Sequence, residues 1–141
     1  MTYQIIYSSQ AASPMQIEEL EEILASARKN NTEKKVTGAL VYVEGVFLQV
    51  LEGEQATVRT LMSHIATDVR HTAVTVLQEG EVPLPTFGDW KMAYLSATPE
   101  QISIWAGLGG TTDVTEILED IRREPQRASQ MAGNILASLG L

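Results

Sequence analysis

A chain of 141 residues, 44% of them hydrophobic and none of them cysteine, is long enough for one domain with a real core. It cannot use disulfides, thiolate metal sites or a thiol nucleophile. Ten Lys and Arg against eighteen Asp and Glu give a formal net charge of −8, an acidic surface that repels phosphate backbones and anionic lipid, so neither nucleic acid nor a membrane is an expected partner. The opening Met1-Thr2-Tyr3-Gln4-Ile5-Ile6-Tyr7 lacks the basic start and apolar run of a secretion signal, and no apolar stretch reaches the ~18 residues of a membrane helix, so a cytoplasmic protein is expected.

Residues 2–8 alternate as a strand, with Tyr3, Ile5 and Tyr7 on one face. Ser13 predicts the start of a helix, with Pro14 at its first position and Gln16 as capping-box partner. Ile17, Leu20, Leu24 and Ala27 form its apolar stripe, with Ile23 beside it, and Glu18, Glu19, Glu21 and Glu22 read as its solvated face rather than as a catalytic acid pair. Asn30-Asn31 then reads as a left-handed helix stop. Residues 36–43 and 46–52 are strands joined at Glu44-Gly45, and both are apolar on both faces, so each side of the sheet needs a cover. A second helix over 54–67 carries Val58, Leu61, Met62 and Ile65, and strands follow at 72–78 and 90–95. The order βαββαββ predicts an α+β, ferredoxin-like sheet with two helices on one face and an added strand.

A helical tail begins near Ser96, with apolar stripes at Val114, Ile117, Leu118 and Ile121 and at Ala128, Met131, Ala132, Ile135, Leu136 and Leu139, separated by Pro125. It is expected to cover the second sheet face or a subunit interface. Gly107-Leu108-Gly109-Gly110 has no strand before it and no lysine after it, so it reads as a flexible connector and not as a phosphate loop.

Several residues do not suit a plain sheet protein. Gln49 interrupts an apolar strand, and Tyr7 would bury a hydroxyl; each taken alone is a core residue that needs a hydrogen-bond partner. Trp90 and Met92 read as neighbours on one face of the last strand, where packing accounts for them. His64 and His71 lack metal-ligand spacing, so no metal is expected. Taken together, however, Tyr7 in Ile-Ile-Tyr-Ser-Ser, Asn31 seven residues before Gly38 in Val-Thr-Gly, Gln49 in Phe-Leu-Gln-Val-Leu-Glu-Gly, Asp-x-Arg-His at 68–71 and Asp-Trp-Lys-Met at 89–92 occur in one register. In this the sequence resembles a BLUF domain over residues 2 to about 96.

The resemblance implies a blue-light photoreceptor without turnover that binds a flavin non-covalently between its two core helices, usually FAD, with FMN or riboflavin as alternatives. It implies a sensor over residues 1–96 and a tail over 97–141, together a short BLUF protein that forms a homo-oligomer and signals to an unidentified downstream protein. Ile23 and Ile65 would be walls of the pocket, Asn31 would grip the pyrimidine edge of the ring, and Lys29, Asn30, Arg70 and His71 would meet the ribityl or phosphate groups, with Asp68 in the same binding set. His64 stands where several relatives place a cation. Tyr7 would donate an electron and a proton to the excited flavin, Gln49 would bridge its hydroxyl to flavin N5 and O4 and rearrange, and Trp90 and Met92 would relay the change. An acylphosphatase-type enzyme with the same sheet order would need an arginine-lined loop, and residues 8–14 hold no basic residue. A flavin-free ferredoxin-like interaction module would have no use for Tyr7, Asn31 and Gln49 together.

Overall fold

The structure is a computed structural model that describes residues 2–12, 16–88, 90–109 and 113–139. Its elements are β1 (Thr2–Ala11), α1 (Ile17–Lys34), β2 (Thr37–Val43), β3 (Val46–Gly53), α2 (Gln55–Ala66), β4 (His71–Val82), β5 (Ala93–Ser96), α3 (Pro99–Trp105), α4 (Val114–Arg123) and α5 (Gln126–Leu139). The strands form one sheet in the order β4-β1-β3-β2-β5, antiparallel except where β5 runs parallel to β2. This is the ferredoxin-like order with an added edge strand.

Strand alternation divides the interior into two cores. Tyr3, Ile5 and Tyr7 of β1 and Phe47 and Leu51 of β3 pack with Leu20, Leu24, Val58 and Leu61 of α1 and α2. On the opposite face Ile6, Val41, Leu48 and Val50 pack with Ile102, Ile117, Ile121, Met131 and Ile135 of α3, α4 and α5. The strands are apolar on both faces because helices lie on both. The β2–β3 turn bends through Glu44 (φ 45°) and Gly45 (φ 80°), the positive pair that a two-residue hairpin matching the sheet twist requires. Gly38 is needed for a different reason, since a Cβ there would lie 1.9 Å from the Val50 carbonyl oxygen.

Several local expectations change. Helix α1 begins at Ile17, and its N-cap residue Gln16 makes no side-chain capping bond. Ser13, Pro14, the Ile17 side chain, Asp89 and Gly110 lie outside the described residues. Asn30 and Asn31 do not stop α1; the helix runs on to Lys34 and Lys35 takes the left-handed cap at φ 57°. A tertiary hydrogen bond from the Asn31 side chain to the Lys91 carbonyl, at 2.8 Å, accounts for an asparagine inside the helix. The last strand is shorter than expected, and Trp90 and Met92 precede it. The carbonyls of Trp90, Lys91 and Met92 are bound in turn by the Gly38 amide (3.1 Å), the Asn31 amide (2.8 Å) and the Arg28 guanidinium (3.1 Å), so two of the three face helix α1 and not a strand ladder. Helix α3 was not singled out, although Thr98 and Gln101 form a complete capping box around Pro99. Gly107 is not a loose connector: it terminates α3 at φ 76°, and Arg127 Nη1 donates to the Ala106 and Gly107 carbonyls at 3.1 and 3.0 Å.

Candidate functional site

Between α1 and α2, above the sheet, lies a cleft with about 910 Å³ of space free of protein atoms, its open mouth included. Helical spacing builds its sides. Ile23, Ser26, Ala27, Asn30, Asn31 and Lys34 line it from α1 at steps of three and four, and Leu61, His64, Ile65 and Asp68 line it from the α2 side in the same way. Its floor is Tyr7, Leu40, Phe47, Gln49 and Leu51 from the three central strands. Tyr7 and Leu40 are both direct strand partners of Gln49, which brings the phenol beside the amide at the centre of that floor.

The Tyr7 hydroxyl donates to Gln49 Oε1, and Gln49 Nε2 lies 3.4 Å from Met92 Sδ. Tyr7, Gln49 and Met92 are 3%, 7% and 2% exposed, so this chain is sealed from water on the sheet side. Burial first, and the Asp68 carboxylate second, push the Tyr7 phenol well above the ordinary tyrosine range, so it stays protonated at every physiological pH. The sulfur is a weak acceptor, so the amide nitrogen of Gln49 is held less firmly than its oxygen. Asn31 is 2% exposed and lines the cleft; one N–H of its amide donates to the Lys91 carbonyl, which leaves a second N–H and the oxygen as its remaining hydrogen-bonding groups.

At the mouth, Arg70 holds Asp68 by its side chain, with Nη2 2.6 Å from Oδ2, and this hydrogen bond is the first reason that the Asp68 carboxyl is held down at about 2. His71 has both ring nitrogens engaged, Nδ1 with Ser9 Oγ at 2.8 Å and Nε2 with the Ile65 carbonyl at 2.5 Å. Since a carbonyl only accepts, Nε2 carries the proton and Nδ1 accepts from the serine in the neutral ring. Lys34 and His64 line the mouth with no such hydrogen-bond partner seen among the described residues.

Tyr7, Ile23, Asn30, Asn31, Gln49, Ile65, Asp68, Arg70 and His71 therefore meet in one cleft. Lys29 does not line it; Lys34, five positions on and in phase with Ile23, Asn30 and Asn31, does. Ser26, Ala27, Leu40, Phe47, Leu51 and Leu61 were missed as lining residues; the helix and strand periods through the recognised ones point to all of them except Leu40, which enters through its pairing with Gln49 across β2 and β3. Trp90 is 37% exposed and lies outside the lining, whereas Met92 is buried against Gln49. Among the described residues no group of His, Asp and Glu is placed to hold a metal ion, and no helix is long and apolar enough to cross a membrane.

The cleft suits a flavin ring. Aliphatic side chains of α1 and α2 face each other across a slot whose floor carries Phe47, the Tyr7 phenol and the Gln49 amide, with the Asn31 amide on one wall and cationic and imidazole groups at its mouth. The chain matches the BLUF family, sensors of blue-light using FAD, over residues 2–93. It is 36% identical over 109 residues to the photoactivated adenylate cyclase subunit beta of Euglena gracilis, a match covering 74% of this chain and 12% of that protein. The alpha subunit from the same organism is 34% identical over 104 residues, with 10% of its length covered. The chain thus spans about an eighth or less of these curated relatives. Among solved structures, the dark state of BlrB, a BLUF protein, superposes with a TM-score of 0.77 at 20% identity, covering 97% of this chain and 96% of that one, and supports the fold. The photo-activated state of BlsA superposes with a TM-score of 0.69 at 26% identity, covering 86% of this chain and 95% of that one. With two thirds of its length matched and the cleft built to receive the ring, the chain belongs to the BLUF family of flavin-binding blue-light sensors.

Proposed function

We propose that Tyr7 and Gln49 are the photoactive pair of this sensor, with FAD bound between α1 and α2. The observation that carries this reading is the buried chain from the Tyr7 hydroxyl through the Gln49 amide to the Met92 sulfur. When bound, the flavin supplies a light-excited state that accepts an electron. Tyr7 has an oxidisable ring and a neutral, buried hydroxyl, so it releases its electron together with its proton and recovers both, with no net reaction. Gln49 is suited to register the event, because an amide presents a donor at one end and an acceptor at the other and can exchange them by rotating or tautomerising. Its weak contact to Met92 is the partner given up most easily. Ile23 and Ile65 hold the ring as walls and Asn31 holds its polar edge.

FAD is the expected flavin, with FMN or riboflavin able to enter, because the recognition groups cluster around the ring. Arg70 is already held by Asp68 and His71 by Ser9 and Ile65, which leaves Lys34 and His64 as the mouth groups free to meet phosphate. Residues 1–96 act as the sensor and 97–141 as an output tail, with Met92 as relay and Trp90 tied in through its carbonyl on Gly38. The output passes to a separate protein in the cytoplasm, and the sensor works as a homo-oligomer.

The test is spectroscopic. Purified protein should carry a flavin, and blue light should shift its absorption reversibly to longer wavelength. Tyr7→Phe should keep the flavin and lose the shift, because the ring still packs while the transferable hydroxyl is gone. A normal reversible shift in that variant removes Tyr7 from its role.

A further inference from the structure

Glu52 is 0% exposed, on a strand whose other inward residues are nearly all apolar, and the photochemistry gives it nothing to do. A buried carboxylate needs several donors. Glu52 Oε1 accepts from the Phe87 amide at 2.7 Å, and Oε2 accepts from the Thr86 amide at 2.6 Å and from Gln4 Nε2 at 3.0 Å. Two consecutive backbone amides thus sit on one carboxylate, as in an anion nest, with the anion supplied by the protein.

What these amides belong to gives the contact its meaning. The connection from β4 to β5 crosses the sheet from one edge to the other, past the ends of β1, β3 and β2. Each of those strands holds it: β1 through Gln4 Nε2 to Thr86 Oγ1 at 3.3 Å, β3 through Glu52, and β2 through the Gly38 amide to the Trp90 carbonyl. Phe87, at one end of the held segment, is fully buried in the core shared with α3, α4 and α5. Met92, at the other end, is buried in the cleft-side core against Gln49. Strand alternation puts Gln49 and Glu52 on opposite faces of β3, so one strand holds both ends of one short segment.

We infer that Glu52 is a positioning residue for the output: it fixes the Phe87 end of this segment as a pivot, so that a displacement of Met92 reaches the tail-side core. The inference rests on the Tyr7–Gln49 reading above. Without the pivot, a loop of this length absorbs the displacement in its own backbone. The carboxylate is required because it accepts at both oxygens; an amide accepts at one and turns an N–H toward a second N–H.

The experiment is amide hydrogen exchange on the flavin-loaded full chain, in the dark and under blue light, with the absorption shift recorded in the same sample. In the natural protein the Thr86 and Phe87 amides and the amides of 117–135 should change their exchange by about tenfold on illumination, which corresponds to a ~1.4 kcal/mol change in local opening. Glu52→Gln should keep the shift while the light-to-dark exchange ratio across 117–135 falls to about one. A variant that loses stability yet keeps the full tail response shows a structural role only and overturns the inference. Should the variant not fold, the natural protein still decides: Thr86 and Phe87 amides that do not respond while the shift is complete overturn it, and amides that respond support it. No shift at all in the natural protein removes the photoactive reading and this inference together, whereas a shift with an indifferent clamp removes this inference alone.

Discussion

On β3, Val46, Leu48 and Val50 face a core that α3, α4 and α5 fill, whereas Phe47, Gln49 and Leu51, at alternate positions of the same strand, face a cleft that α1 and α2 leave open. On the filled side Ile102, Ile117, Ile121 and Met131 are 0% exposed, so those contacts serve stability. On the open side the side chains at the centre are a phenol and an amide hydrogen-bonded to each other, with walls from two helices that do not meet over them. One sheet thus carries a closed core and a ligand site back to back. The difference comes from whether the opposing helices close over the face or stand apart.

Paired truncations test that division most severely. Ile121→Ala on the filled side should cost about 2–5 kcal/mol in chemical unfolding, because the packed tail cannot collapse into the void, while the light-induced shift survives in folded protein. Ile65→Ala on the cleft wall, where the side chain is only partly buried, should cost at most about 1 kcal/mol without flavin yet speed flavin loss. Equal stability losses at the two positions would show that the faces are not divided in this way. Asn31→Ala should act on both sides of the distinction at about 1 kcal/mol each, removing a ring contact and the bond that ties Lys91 to α1. Flavin occupancy after dialysis and the unfolding midpoint should fall together; an unchanged occupancy would assign Asn31 to the fold alone.

The smallest effect is expected at the rim. Asp68 has its folded value lowered to about 2, chiefly by the Arg70 hydrogen bond, so its contribution to stability is present above its ordinary value of 3.8 and fades as the pH falls through the folded value. The pair is partly exposed, so the contribution is small. The stability gap between the natural protein and Asp68→Asn should therefore be constant above about pH 4 and shrink below it. A gap that widens on acidification would mean that the folded protein favours the protonated carboxyl, against the lowering that the Arg70 hydrogen bond produces.

Much of this division was legible in the residues. Alternation in Val46-Phe47-Leu48-Gln49-Val50-Leu51 announced a sheet covered on both faces, and Ile117, Ile121, Met131 and Ile135 announced helices able to cover one of them. Tyr7, Asn31 and Gln49 stood out because their chemistry was wrong for their surroundings. The parts that escaped depend on partners distant in sequence. Asn31 reads locally as a helix stop, and only Lys91, 60 residues away, explains why the helix continues. Glu52 reads as the polar end of a strand until Phe87, 35 residues away, is folded onto it. Helix α3, with seven residues, is too short to show a period, so its capping box was the one local signal available. Trp90 and Met92 have strand-like spacing, but their backbone carbonyls are captured by Gly38 and Arg28 before β5 begins.

The central claim is that Gln49 is the group whose hydrogen bonds light rearranges, and absorption spectra of Gln49→Leu before and after blue light test it most directly. Leucine suits an apolar strand between Leu48 and Val50, so the variant should fold and keep its flavin. It should show no shift to longer wavelength, because nothing remains to exchange bonds between the Tyr7 hydroxyl and the ring. A Gln49→Leu protein whose absorption shifts and recovers as in the natural chain would contradict the account.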